Sequence, residues 1–280
     1  LQRLKIATAL RRMDADIYAL CELEKGRRAP EALVEKMNEL AHKQVYQFVY
    51  TGASDGDTIS VGYIYRSDKV EPYGPPTFAY EDGQNIYAYR FILQGWRDLK
   101  TGERLIISLN HLRSKRGDPA AANAKRMANV DSILLCINQV MADECYRDED
   151  VLLLGDYNSY TQELPIQSFV RAGYADMLPS GDYSYVYNAE MGYLDRVFAS
   201  PSMAEQITKV APVHWNADAS YSLGFKSKYN YKDRIIPTDS PANLRKVLSR
   251  QAKKNMLFRY ADHDPLLIGI RFSPTHLSGR

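Results

Sequence analysis

A chain of 280 residues with 45% hydrophobic content is long enough for one large core or two small ones. Its 36 Lys and Arg against 34 Asp and Glu leave a formal charge of +2, so bulk charge by itself selects no partner. Three widely spaced cysteines, Cys21, Cys136 and Cys145, match no zinc pattern and cannot all pair within the chain, and no apolar run approaches the ~20 residues of a membrane span. Cys21 and Cys136 sit in apolar surroundings and read as core thiols. Leu1 is not an initiator Met, and the chain opens directly in a helical pattern. The expectation is a natural N-terminus upstream of this sequence, with room there for an export signal.

Residues 1–13 place Leu4, Ala7, Leu10 and Met13 at helical spacing, and Asp14 breaks the pattern. Residues 16–20 read as a short buried strand ending at Cys21-Glu22-Leu23-Glu24. Pro30 opens a second helix with Leu33, Met37 and Leu40 on one face. Strand-like segments follow at 45–50, 59–65 and 86–93, separated by Gly, Asp and Pro clusters. Alternation over residues 87–93 points to antiparallel pairing. Residues 105–109 form another strand, capped by Asn110-His111. The clearest helix runs over 123–141, with Met127, Val130, Leu134, Ile137 and Met141 on one stripe.

The stretch V-L-L-L-G-D-Y-N-S-Y at 151–160 organises the rest. Four aliphatic residues, too few for a buried helix, suit a strand covered on both faces. Gly155 then permits a tight turn, and Asp156 and Asn158, two residues apart on an extended segment, point the same way. Two readings stand for this stretch alone: a strand followed by an Asx-rich turn, or a reactive pair at the rim of a sheet. A short helix follows near 163–171, then strands at 183–187 and 194–198. Residues 215–256 lack a clean period, carry basic stretches at 226–234 and 245–254, and leave room for a helix near 241–254. A last strand spans 266–272 after Asp262-His263-Asp264-Pro265. With no repeat, low-complexity tract or linker, residues 1–280 read as a single mixed α/β (α+β) domain.

Polar functional groups recur where apolar strands stop: Glu22 after 16–20, His111 after 105–109, Asp195 within G-Y-L-D-R-V, and Asp262 and His263 before the final strand. Each alone fits a solvated rim residue or a structural ion partner, as Asp195 would be for Arg196. Together the series A-D-I-Y-A-L-C-E, N-H-L-R-S-K, L-L-L-G-D-Y-N-S-Y, G-Y-L-D-R-V-F-A-S and D-H-D-P resembles the endonuclease/exonuclease/phosphatase superfamily. These are divalent-metal phosphodiesterases and phosphatases related to pancreatic deoxyribonuclease. N-H-L-R-S-K, the early L-x-E-x-E, and N-A-D at 216–218 are similar to its bacterial extracellular nuclease branch.

The resemblance implies a four-layer sandwich of two facing mixed β-sheets flanked by helices, with the site at one edge. It also implies roles: Glu22 as a metal-binding glutamate, and Asp156 and Asn158 as the pair contacting phosphate, nucleophile and metal. Asp262 would be a further metal-proximal aspartate, His263 the catalytic histidine oriented by Asp195, and His111 a second histidine on the phosphate. Oxygen ligands favour Mg2+, with Mn2+ or Ca2+ open. A cation would neutralise charge building on the phosphate, and imidazole would take a proton from water near neutral pH. The family also implies an N-terminal strand bearing an Asn, which this sequence lacks.

The leading expectation is a metal-dependent nuclease acting on nucleic acid, foremost DNA, as an extracellular or periplasmic monomer. The basic loops at 113–116 and 226–234, the latter interleaved with Tyr229 and Tyr231, either hold a nucleic-acid backbone or are solvated. A phosphatase or lipid or inositol phosphodiesterase of the same superfamily, and a non-catalytic module keeping the fold, stand as alternatives.

Overall fold

Strands with consecutive buried residues, covered on both faces, decide the layering. In the computed structural model, which describes residues 2–50, 59–77, 90–143, 150–219 and 254–272, the chain begins with α1 (Gln2–Met13), β1 (Ile17–Glu24) and α2 (Arg28–Ala41). Then come β2 (Tyr46–Tyr50), β3 (Ile59–Arg66), β4 (Val70–Thr77), β5 (Phe91–Asp98), β6 (Arg104–His111) and α3 (Pro119–Met141). The second half adds β7 (Val151–Asp156), α4 (Leu164–Arg171), β8 (Ala175–Asp176), β9 (Tyr185–Tyr187) and β10 (Glu190–Gly192). It closes with β11 (Asp195–Ala199), α5 (Pro201–Gln206), β12 (Ile207–Pro212) and β13 (Leu266–Ile270).

The central sheet has the order β4-β5-β6-β7-β11-β8. It is mixed, because β6 and β7 run parallel while their outer neighbours are antiparallel. On one face Ile106, Val151, Leu153 and Phe198 pack with Val130, Ile133 and Ile137 of α3 and Phe169 of α4. On the other, Leu105, Ile107, Leu109, Leu152 and Val197 meet Val61, Tyr63 and Tyr65 of β3, with Ile17 and Ala19 of β1 and Ile268 of β13 at the margin. That facing layer consists, among the described residues, of two antiparallel sheets, β1-β3-β2 and β12-β13. Behind it, Ala7 and Leu10 of α1 and Leu33 and Met37 of α2 cover Tyr18, Tyr46 and Ile64. The order is helices, sheet, sheet, helices, which is the layered α/β class the sequence implied.

Local chemistry explains the helix limits. Asp118 accepts the Ala121 N–H at 2.8 Å and Pro119 takes the first turn, so α3 starts four residues before its apolar stripe becomes evident. Ser200 caps α5 in the same way. Cys136 is buried and Cys21 half-buried, both as free thiols; Cys145 lies outside the described residues.

Four expectations change. The strand expected at 86–93 is found at Phe91–Asp98, residues 86–89 lying outside the described set. Asn110 and His111 belong to β6 rather than capping it. β4, with its V-E-P-Y-G-P-P-T sequence, was not expected as a strand; it pairs on one side only, where prolines are tolerated. Gly155 lies within β7 and makes no turn. The helix near 241–254, the basic stretch 226–234 with Tyr229 and Tyr231, and residues 245–253 lie outside the described residues.

Candidate active site

Strand register assembles the first three groups. His111 on β6 stands opposite Asp156 on β7, and Asp156 stands opposite Asp195 on β11. Each shares its strand's parity with residues of the inter-sheet core: Leu109 on β6, Leu154 on β7 and Val197 on β11. A histidine and two carboxylates thus form one row across three strands, at the end of the groove between the layers. His111 Nε2 lies 3.6 Å from Asp156 Oδ2. Arg196, one residue out of phase, turns to the helical side and pairs with Asp176 at 3.0 Å, so it is not the partner of Asp195.

Gly155 allows β6 and β7 to approach. Its φ is +129°, and a Cβ there would lie 1.8 Å from the carbonyl oxygen of Asn110. No residue with a side chain fits. Asn158 then adopts a left-handed φ of +47°, so it meets Asp156 through a turn and not by strand alternation. Its backbone N–H donates to Asp156 Oδ1 at 2.8 Å. Its Nδ2 donates to Asp156 Oδ2 at 3.1 Å and to the Leu112 carbonyl at 3.0 Å. Asn158 therefore holds Asp156 in place.

Glu22 reaches the site through a β-bulge. Strict alternation would set it beside Tyr18 and Leu20, which pack toward the helices. Instead the β1–β3 register shifts between Leu20 and Leu23, and Glu22 takes a φ of +58°. Its exposed carboxylate adds the smallest of the contributions to the raised pKa of Asp156 and lies outside the close group of Asp156, Asp195 and His263.

His263 comes from the stretch before β13. Its Nδ1 lies 2.8 Å from Asp195 Oδ2, which also accepts the Ser184 hydroxyl at 2.6 Å. Behind it, buried Asp264 anchors the backbone. Its Oδ1 accepts the N–H groups of Trp215, Asn216 and Ala217 at 2.9, 2.6 and 3.0 Å. Its Oδ2 lies 2.9 Å from His214 Nδ1, and His214 Nε2 lies 2.9 Å from Asp182. Asn216 Nδ2 donates to the His263 carbonyl at 2.8 Å. Asp262 is exposed beside His263 and outside the tight group formed by Asp156, Asp195 and His263, whose ligand atoms lie within 4.8 Å of one another.

The electrostatics follow from crowding. Burial, then the Asp195 carboxylate, push the Asp156 carboxyl up to about 7, with His263 pulling the other way and Glu22 adding to the rise. For His263, burial acts downward, but Asp195, Asp156 and Asp262 outweigh it and raise the imidazole to about 10. The ring is thus an imidazolium at neutral pH. Ser184 and Asp264 were not singled out in the sequence. Asp264 was visible in D-H-D-P, whereas nothing distinguishes Ser184 from other serines.

The half-buried carboxylates Asp156 and Asp195, with exposed Glu22 contributing to the charge around Asp156, give the site an oxygen-rich character suited to a hard divalent cation. His263 Nδ1 is engaged by Asp195, which leaves carboxylates as the ligands. A proton and a cation compete for Asp156. Because its folded pKa lies above the ordinary 3.8, the protein without cation loses stability as pH rises through about 7. Saturating Mg2+ should therefore raise Tm by roughly 5–10 °C at pH 8 and by clearly less at pH 5.5. A Tm shift independent of pH in a thermal-denaturation series would reject Asp156 as a ligand.

Residues 3–197 match the Endonuclease/Exonuclease/phosphatase family, and the chain belongs to it. It is a phosphoric ester hydrolase of a family that is generally dependent on divalent metal. Among solved structures it is similar to an endonuclease/exonuclease/phosphatase from Bacteroides vulgatus, at 15% identity over 96% of this chain and 90% of that one, with a TM-score of 0.60. It is also similar to an AP endonuclease from Archaeoglobus fulgidus, at 15% identity over 76% and 87% of the chains with a TM-score of 0.57. A mannosyl-6-phosphatase from Bacteroides thetaiotaomicron shares 18% identity over 76% and 80%, with a TM-score of 0.53. At these identities the likeness establishes the fold. No curated protein matches the chain in sequence.

Proposed function

We propose that this chain is a metal-dependent nuclease that hydrolyses phosphodiesters in DNA. The observation that carries the reading is the His263–Asp195 pair beside Asp156, with three cations in four residues, Arg113, Lys115 and Arg116, starting two positions after His111. Arg113, Lys115 and Arg116 are exposed. A phosphomonoester needs one anion site, whereas a polynucleotide presents phosphates on both sides of the bond that breaks, which such a loop suits.

The residues divide the work by charge. Asp156, held by Asn158, accepts the proton of the attacking water on the carboxylate oxygen turned away from the cation as the new P–O bond forms. As that bond forms, the bond from phosphorus to the ester oxygen breaks, and His263, held as imidazolium by Asp195, gives its Nε2 proton to the leaving oxygen. This assigns the proton acceptor to the carboxylate and not, as the sequence suggested, to the imidazole. His111 lines the other side of Asp156, where it would contact the phosphate. Glu22 and Asp156 would hold a divalent cation, Mg2+ by its preference for oxygen, with Asp262 at the rim; when bound, it neutralises charge on the phosphate.

Supercoiled plasmid incubated with Mg2+ should be nicked, and chelator should stop the reaction. Glu22→Gln should lower the Mg2+-dependent rate while leaving the fold intact by circular dichroism. Rapid turnover of sugar monophosphates with intact plasmid would overturn the nuclease reading in favour of a phosphatase. Unchanged rate and metal dependence in Glu22→Gln would remove that residue from the metal site.

A further inference from the structure

The β9–β10 hairpin sits directly against the catalytic pair, and none of the roles above uses it. Tyr185 lies on His263 with ring centroids 4.5 Å apart. Tyr187, two residues on and on the same face, is parallel to Tyr185 within 8°, at a centroid distance of 6.5 Å. Tyr187 is 58% exposed, a large aromatic ring presented to solvent at the edge of the site. The hairpin that carries it is tight: Asn188 and Ala189 form a two-residue turn, both with positive φ, at +50° and +66°. That turn matches strand twist and fixes the strands relative to each other, even though Ala189 is strained there.

The same face continues toward the basic loop. Gly192 pairs with Tyr185, and the space its side chain would take is filled by the Tyr160 ring, 2.9 Å from an ideal Cβ. Lys115 Nζ lies 4.9 Å from the centre of the Tyr160 ring. An aromatic strip therefore runs outward from His263 on one side, and reaches a cation on the other.

We propose that Tyr187 is a stacking platform for one nucleobase of the substrate, on the nucleotide next to the phosphate held by His263. The inference rests on the nuclease reading of the site and adds a specificity-determining residue to it. A flat, exposed ring backed by a second parallel ring offers a π-face to any base, and this kind of contact tolerates sequence. It also places the sugar-phosphate on the His263 side, within reach of the imidazolium. Tyr187 contributes to binding and orientation, not to the bond that breaks.

The test compares a ligand with a base to one without. Binding of deoxyadenosine 5′-monophosphate and of 2-deoxyribose 5-phosphate is measured by calorimetry in Mg2+, with wild type, Tyr187→Ala and Tyr187→Phe. Wild type should bind the nucleotide roughly 5- to 150-fold more tightly than the sugar phosphate. Tyr187→Ala should lose most of that difference and Tyr187→Phe should keep it, with affinity for the sugar phosphate unchanged in both. Equal affinities in wild type, no binding of the nucleotide, or a preference that survives in Tyr187→Ala each overturn the proposal. The readout needs no turnover. A chain that shows the Tyr187-dependent preference but leaves plasmid intact would overturn the nuclease reading alone.

Discussion

His263→Ala should lower the rate of phosphodiester hydrolysis by roughly 10²–10⁴, the range for losing a positioned acid-base or charge-stabilising group. Asp195→Asn should fall in or near that range, because the 2.8 Å contact to Nδ1 holds both the charge and the orientation of the ring. The double variant should be little worse than His263→Ala, since a carboxylate with no imidazole to orient contributes nothing to the step. Multiplicative losses in this cycle would show that the two residues act separately. The stability consequence has a definite sign. The folded pKa of about 10 lies above the ordinary 6.5, so the pair stabilises fully below pH 6.5 and its contribution is lost as pH rises through about 10. The stability gap between wild type and His263→Ala, measured by urea denaturation, should therefore narrow at alkaline pH.

Gly155→Ala should be among the most destabilising single substitutions in the chain, by roughly 3–5 kcal/mol. The added Cβ would overlap the Asn110 carbonyl oxygen at 1.8 Å, and that neighbour is backbone, so no side-chain rotation relieves it. β6 and β7 must separate where His111 and Asp156 face each other, and hydrolysis should fall together with Tm. Gly117→Ala provides the control. Its φ is +92°, but an added Cβ there meets nothing within 4 Å, so only conformational strain of about 1 kcal/mol remains. Equal Tm losses for the two variants would show that φ, and not strand approach, sets the requirement at Gly155.

Most elements were legible because their periods are strong. The aliphatic run of β7 marked a strand covered on both faces, the run at 105–109 marked β6, and the stripe through Val130 and Ile137 marked α3. Where local chemistry competed, reading was harder. β4 carries three residues, Pro72, Pro75 and Pro76, that argue against a strand, and only its edge position accommodates them. Asp118 and Pro119 did carry the true start of α3, as a cap and a first-turn proline, ahead of any apolar repeat.

The sequence by itself determined which chemical groups are present and that several stand at strand ends: Glu22, His111, Asp156, Asn158, Asp195, Asp262 and His263. Motif order was enough for the family, which the match over residues 3–197 shows. Tertiary structure decided how those groups meet. Register placed His111, Asp156 and Asp195 in one row, a relation between strands that no single strand encodes. A bulge redirected Glu22 against strand alternation, and a left-handed turn brought Asn158 onto Asp156. Crowding of carboxylates, which exists only after folding, raised the pKa values of Asp156 and His263. The aromatic strip through Tyr185 and Tyr187 belongs to the same class: two tyrosines on either side of Val186 become a surface only when the hairpin sets their rings parallel beside His263.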